Sequence, residues 1–468
     1  MSKTRSGEPA GPLRRLRDPA QRKLEGTLLG HSGFRRLWFG QTVSVFGSQV
    51  TVLALPLAAV LVLHASTFQV GLLTTAGYAA FLVIGLPTGV WVDRMRRRPI
   101  MISADLLRAV TLASVPVAYA LGLLTLAQLY AVAVVQGVGT VFFDVAYMSY
   151  LPGLVGRDHL VESNAKLQVS QSVAEVSGPT VSGFLIGVFS APVAFVADAA
   201  SFVVSACSLL AIGDREERPE HPDAPNLRAE IGEGLRFVVT QPVLRMIAGA
   251  TSTGNLFLSA FGAISVVFLV RQIGLDAATI GILTSAAAIG GVVGAFSATW
   301  LRRRVGSARI IWLSLTVSAP CALLIPLTSP GSGLLCYAAG LFMISSGIIV
   351  YNVNQASFRQ LLCPPRLLGR MNATMRFIVW GTMPVGGLLG GTLGTWLGDR
   401  SALWVITSGI ALSPVWLLVS PLRRMHDVSG DRLSGPAASL HEPQDERSED
   451  QLHGELHLPA RHHDDVRP

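Results

Sequence analysis

Charge is what this chain has least of. Asp, Glu, Lys and Arg make up 14% of its 468 residues, where soluble globular proteins carry about a quarter. Lysine occurs only at Lys3, Lys23 and Lys166, and none follows a glycine. A phosphate-cradling Gly-Lys-Ser/Thr is therefore missing, which excludes ATP hydrolysis by this chain. Cysteine is scarce too: Cys207, Cys321, Cys336 and Cys363 lie within or at the ends of apolar segments, none in a Cys-x-x-Cys pair. Neither a disulfide framework nor a zinc site is expected. His31, His64, His159 and His221 sit in separate connections, so the gathered acid, base or metal residues of a polytopic membrane enzyme are lacking. The first 33 residues are polar and basic, without the apolar core of a cleavable signal peptide.

What the chain has is apolar sequence. Half its residues are hydrophobic, 47 are glycine, and mean hydropathy is +0.49. Runs long enough to cross a bilayer fall near 36–62, 68–92, 99–122, 127–151, 164–189 and 192–212. Six more fall near 244–270, 278–300, 308–328, 333–361, 372–397 and 401–421. The expected class is an all-α polytopic membrane protein of twelve transmembrane helices. Its expected divisions are an N-terminal arm (1–33), a first six-helix bundle (34–213), a linker (214–242), a second bundle (243–424) and a disordered tail (425–468). Residues 230–239 of the linker read as a short amphipathic helix at the membrane surface. Six of the ten histidines fall in the tail and are assigned no chemistry; no metal site is expected.

The net charge of +8 comes from arginine clusters between apolar runs. With no basic face carrying interleaved aromatics, nucleic acid is not an expected partner. The arginines fix topology instead. Arg35, Arg36, Arg94 to Arg98, Arg157, the linker, Arg302 to Arg309, Arg366, Arg370, Arg423 and Arg424 fall in connections on one side, with only Arg271 and Arg400 on the other. Both termini are therefore expected in the cytoplasm of a cell whose inner membrane holds the chain.

The chain also repeats itself. Val70-Gly-Leu-Leu-Thr74 is answered by Ile280-Gly-Ile-Leu-Thr284, and both helices run into arginines, Arg94 to Arg98 and Arg302 to Arg304. Asp144 and Asn352 are 208 apart, as are Asn164-Ala165 and Asn372-Ala373. Six crossings separate equivalent positions, so the halves are parallel repeats related by an axis along the membrane normal.

Six plus six helices, with Gly89, Asp93, Arg94, Arg97 and Arg98 between the second and third spans, resemble the major facilitator superfamily over residues 34–424. Arg96 stands where that family's signature has glycine. Ala104-Asp105-Leu-Leu-Arg108, Asn164-Ala165, Glu233-Gly-Leu-Arg-Phe237 and Gly369-Arg-Met-Asn-Ala373 are similar to the branch holding the enterobactin exporter and macrolide efflux proteins. Gly178, Pro179 and Gly183 resemble part of the antiporter motif of exporters, with Ser182 replacing a glycine. The resemblance implies a monomeric secondary transporter without cofactor, exporting drugs, siderophores or other amphiphilic metabolites in exchange for protons, a basis of antibiotic resistance. It also implies alternating access, with a central cavity lined by spans one, four, seven and ten among others. A proton-coupled importer of a small metabolite is the alternative, since import and export use one machine. Gln136-Gly137 matches the drug-antiporter pattern of span four, but Ala133 occupies its arginine position.

Individual residues carry further expectations. Asp93 and its arginines can latch two helix ends, with Asp144 close enough for a gate contact. Asp105 and Arg108 lie three apart in span three and form an ion pair, static or part of a relay. Glu175, below Gln168 and Gln171 at helical spacing, sits near mid-membrane, where a buried carboxylate suits proton coupling. Gln49, Asn255 and Asn352, with Phe46, Phe257 and Phe261, are the expected cavity residues. Asp198 and Arg376 read as structural, the first capping or pairing near the outer surface, the second snorkelling to the headgroups.

Overall fold

The computed structural model describes residues 31–156, 159–213, 227–363 and 367–424. The chain divides into residues 1–427 and 428–468. The arm to residue 30, linker residues 214–226, Arg157, Arg366 and the tail from 425 lie outside the described residues.

The first half contains α1 (Ser32–Leu61), α2 (Thr67–Asp93), α3 (Arg97–Ala120), α4 (Leu126–Val155), α5 (Leu160–Phe189) and α6 (Ala191–Leu210). The expected linker helix is α7 (Leu227–Thr240). The second half contains α8 (Pro242–Arg271), α9 (Ala277–Val305), α10 (Arg309–Ser318), α11 (Leu334–Leu362), α12 (Leu368–Leu397) and α13 (Asp399–Leu412). Among the described residues, twelve segments are long and apolar enough to cross a membrane. The ninth tightens to a 3-10 helix over Ala319–Leu327, where Pro320 and Pro326 remove two backbone donors.

Local chemistry sets the ends. Ser66 and Gln69 form a capping box at α2, and Thr125 and Asp276 cap α4 and α9. Gly156, Gly306 and Gly398 end α4, α9 and α12 at positive φ, which favours glycine. The repeat extends to whole helices: Ser32 and Pro242 open α1 and α8 and Leu61 and Arg271 close them, 210 apart at both ends, while α5 and α12 match 208 apart.

Within the first half α1 packs on α5 and α6, and α4 on α2 and α3; the second half repeats the scheme with α8 on α12 and α9 on α11. Across the halves, α2 meets α12 and α5 meets α9. Helix direction places the arginine clusters at one end, here called the basic end. At the opposite end one apolar core runs through both halves, from Leu57, Val70 and Phe195 to Ile264, Phe268 and Leu403. At the basic end the first half has a separate core of Phe34, Met101, Phe143 and Leu209. Burial of apolar surface therefore joins the halves at one end of the molecule.

Candidate functional site

The halves touch most closely where the repeat predicts equivalent glycines. A methyl group added at Gly183 of α5 would come within 2.9 Å of Gly281 Cα, and one added at Gly71 of α2 within 2.6 Å of Gly391 Cα. Only glycine lets these backbones approach so closely. Hydroxyls add to each crossing: Thr180 bonds Ser285, and Thr75 donates to Pro384 O at 3.0 Å. Farther toward the opposite end Thr67 donates to Asp399 at 3.0 Å, and Arg271 donates to Ala65 O at 2.6 Å. Gly178 gives Gln49 of α1 room to lie against α5, and Ser182 is buried. The exporter-like stretch is thus the crossing that closes this end.

Toward the basic end the same face of α5 loses its partner. Gln171, Glu175, Pro179 and Gly183 follow at intervals of four, so they form one row. Gly183 and Pro179 meet α9, whereas Glu175 is exposed and accepts a hydrogen bond from Gln171 at 2.8 Å. The burial expected for Glu175 is not met, because α5 and α9 diverge below their crossing. Gln168 and Asn352 are exposed as well. These exposed polar groups all lie on the basic-end side of the α5–α9 crossing.

A charge pair joins the halves toward the basic end. Arg376 of α12 lies 3.6 Å from Asp144 of α4, over the Trp380 ring at 4.4 Å, and 3.6 Å from Met148 Sδ. Its neighbours Phe81, Val141, Val145, Phe377 and Trp380 enclose a cavity of about 120 Å³. The contact expected of Asp144 was with the Asp93–Arg98 loop; its ion pair is made to Arg376 of the second half, and Arg376 turns to this partner instead of snorkelling. Sequence spacing gave no sign of this pair, since its members are 232 residues apart.

In the loop between α2 and α3, Gly89 is half-buried and Arg94 and Arg96 are exposed. Arg96 has φ −66°, a backbone that needs no glycine, so the departure from the signature leaves the turn intact. Arg98 donates to Leu209 O at 2.9 Å and Leu210 O at 2.7 Å, capping α6 where its dipole is negative. Arg97 is half-buried. The Asp93 side chain lies outside the described residues.

Deeper in the first half the expected Asp105–Arg108 ion pair is present and buried. The Arg108 guanidinium lies over Phe202 at 4.1 Å and Phe143 at 4.9 Å, and Gly139 leaves space for its stem. Gln136 donates to Arg108 O at 3.0 Å. Asp198 is buried here as well, accepting from Thr51 and Ser201. It belongs to this interior cluster and not to the outer surface.

The expected cavity residues separate. Gln49 packs on α5, and Phe46 is half-buried. Asn255 and Asn352 line a cavity of about 50 Å³ inside the second half, with Thr251, Tyr351, Ser318 and Ser413. Phe257 packs on Gly409, and the Phe261 ring lies tilted 6.2 Å from that of Tyr337. Both rings are half-buried against the apolar core that runs through both halves.

Comparison with known proteins agrees with this architecture. The family profile described as Major Facilitator Superfamily matches residues 37–383. The chain is similar to the multidrug efflux pump Tap of Mycolicibacterium fortuitum, 28% identical over 82% of this chain and 94% of that protein. It is 25% identical to the enterobactin exporter EntS of Salmonella paratyphi A, over 85% and 95% of the two chains. Among solved structures, a bacterial homologue of the iron transporter ferroportin in its inward-facing state superposes with a TM-score of 0.69. That match has 17% identity and covers 84% of this chain and 98% of that one.

Proposed function

We propose, from the premise that this chain belongs to the Major Facilitator Superfamily, that it exports bulky amphiphilic compounds from the cytoplasm in exchange for protons. The chain is a multi-pass membrane protein and a secondary transporter, not an enzyme. Drugs, siderophores and related secondary metabolites are the proposed substrate class, and a bacterial inner membrane its proposed place.

One observation supports the reading: the halves share a core at the end with few arginines, while Gln168, Glu175 and Asn352, toward the arginine-rich end, are exposed, as the walls of a cleft between the halves would be. By the positive-inside rule the arginine-rich end faces the cytoplasm. The cleft then opens inward, the state in which an exporter loads. Gln168, Gln171 and Glu175 would be its polar groups on α5, with Phe81, Phe377 and Trp380 beside Arg376. Such a surface suits a large apolar body carrying scattered polar groups. The names of the two relatives point the same way.

An accumulation assay with macrolide, siderophore and dye panels, in cells lacking and expressing the protein, tests this. Expression is expected to lower cellular accumulation of at least one compound, and a protonophore to restore it. Raised accumulation would favour the importer, and efflux indifferent to the protonophore would remove the proton.

A further inference from the structure

We propose that the transported proton is held at Asp198, in a buried cluster with Asp105 and Arg108, and not at the cleft carboxylate Glu175. The inference rests on the reading of the chain as proton-driven and names where in the first half the proton sits.

Asp198 is 1% exposed, Asp105 0% and Arg108 6%. One guanidinium is paired with Asp105 and acts on Asp198 at longer range in the same apolar interior. Asp105 Oδ1 takes the guanidinium, Ser205 of α6 also acts on the Asp105 carboxylate, and Arg108 Nε is buried without a hydrogen-bond partner. With both carboxylates ionised the cluster carries a net negative charge in a medium that penalises it strongly. A single bound proton makes it neutral.

The surroundings of Asp198 suit either protonation state. The groups that act on it electrostatically are Arg108 and Asp105 from α3; its hydrogen-bond partners are Thr51 of α1 and Ser201 of its own helix. Glu175 of α5 is exposed in the cleft. When Asp198 is ionised, Thr51 and Ser201 donate to its two oxygens. When it is protonated at Oδ1, its O–H donates to Ser201 Oγ, and the single Ser201 hydroxyl hydrogen turns to Asp198 O, 2.8 Å away. A proton enters or leaves without leaving either hydroxyl unpaired.

The site also lies where charge can move a helix. Gly47 of α1 packs directly on Asp198: a methyl group there would reach 2.8 Å from Oδ1. Helix α1 then carries Gln49 against Gly178 of α5, at the edge of the cleft, and touches α8 of the other half. Loss of the proton restores the cluster's net negative charge in an apolar interior, which favours parting α1 from α6 to admit water. Gain of the proton favours the packed arrangement described here.

The test uses the full chain in lipid vesicles, without substrate, with spin labels on Q168C and N352C reading the distance across the cleft from acidic to alkaline buffer. Wild type is expected to change its distance distribution along a one-proton curve, E175Q to keep that curve, D198N to stay in one distribution at every pH, and D198E to regain the response. Because D198N can fail to fold, T51V is a second arm: losing a donor to the ionised form must move the midpoint to higher pH. A wild-type response in D198N, an unmoved midpoint in T51V, its loss in E175Q, or reproduction of the curve by sodium at fixed pH would each overturn the site. A wild type without pH response, joined to efflux indifferent to a proton gradient, would instead overturn the proton-driven reading.

Discussion

Arg376 and Asp144 join two halves through side chains each about one-third exposed, 34% and 33%. Exposed pairs of this kind contribute about 0–1 kcal/mol, so their effect should fall on the balance of states more than on folding. R376A is expected to lower the thermal stability of detergent-purified protein by less than about 1 kcal/mol. The same change should widen the cleft-spanning distance and slow transport, and D144N should do likewise. Equal transport by wild type and R376A, measured in vesicles, would remove the pair from the gate. Its existence was illegible in the sequence because neither residue stands at a repeat position of the other. The Asp105–Arg108 pair was legible because helical spacing alone brings i and i+3 together. Glu175 was legible as a carboxylate at mid-depth but not as an exposed one, since exposure depends on whether α9 follows α5 beyond their crossing.

The helices owe their ends to local chemistry and their approach to glycine. Asp276 caps α9, and bonds from the Thr279 hydroxyl and backbone amides hold its carboxyl below the usual carboxylate range. A carboxylate lowered in the folded state stabilises above its unfolded pKa, and the contribution is lost as pH falls through the folded value. The melting temperature of D276A should therefore lie below wild type at neutral pH, with the gap closing in strong acid; a gap unchanged by acid would deny the charged cap. At the α5–α9 crossing, G183V inserts bulk where Gly281 leaves none. It is expected to abolish transport while circular dichroism still reports a helical protein, at a cost of about 1–3 kcal/mol. Normal flux through G183V would show that this contact does not form during the cycle. Both glycines stood out in the sequence as repeat partners at a fixed offset. That Gly71 faces Gly391, and Gly183 faces Gly281, required knowing which helix of one half lies against which helix of the other.

Among the described residues two similar bundles share an apolar core at one end, and the proposed cleft lies toward the other. Rocking about the shared core would close the cleft and expose the other side, so joining α5 to α9 must stop it. A T180C/S285C disulfide is expected to block efflux and a reductant to restore it; undiminished efflux through the crosslinked protein would rule out relative motion of the halves. Twelve crossings, two parallel repeats, the arginine-rich side and the secondary-transporter class were determined by sequence alone. Bilayer length, charge placement and repeat offset are one-dimensional properties that survive without coordinates. The cleft, the Arg376–Asp144 pair, the exposure of Glu175 and the burial of Asp198 beside Arg108 were decided only by tertiary structure. Each depends on which helices pack and where they part, and packing between segments hundreds of residues apart leaves no periodic trace in the chain.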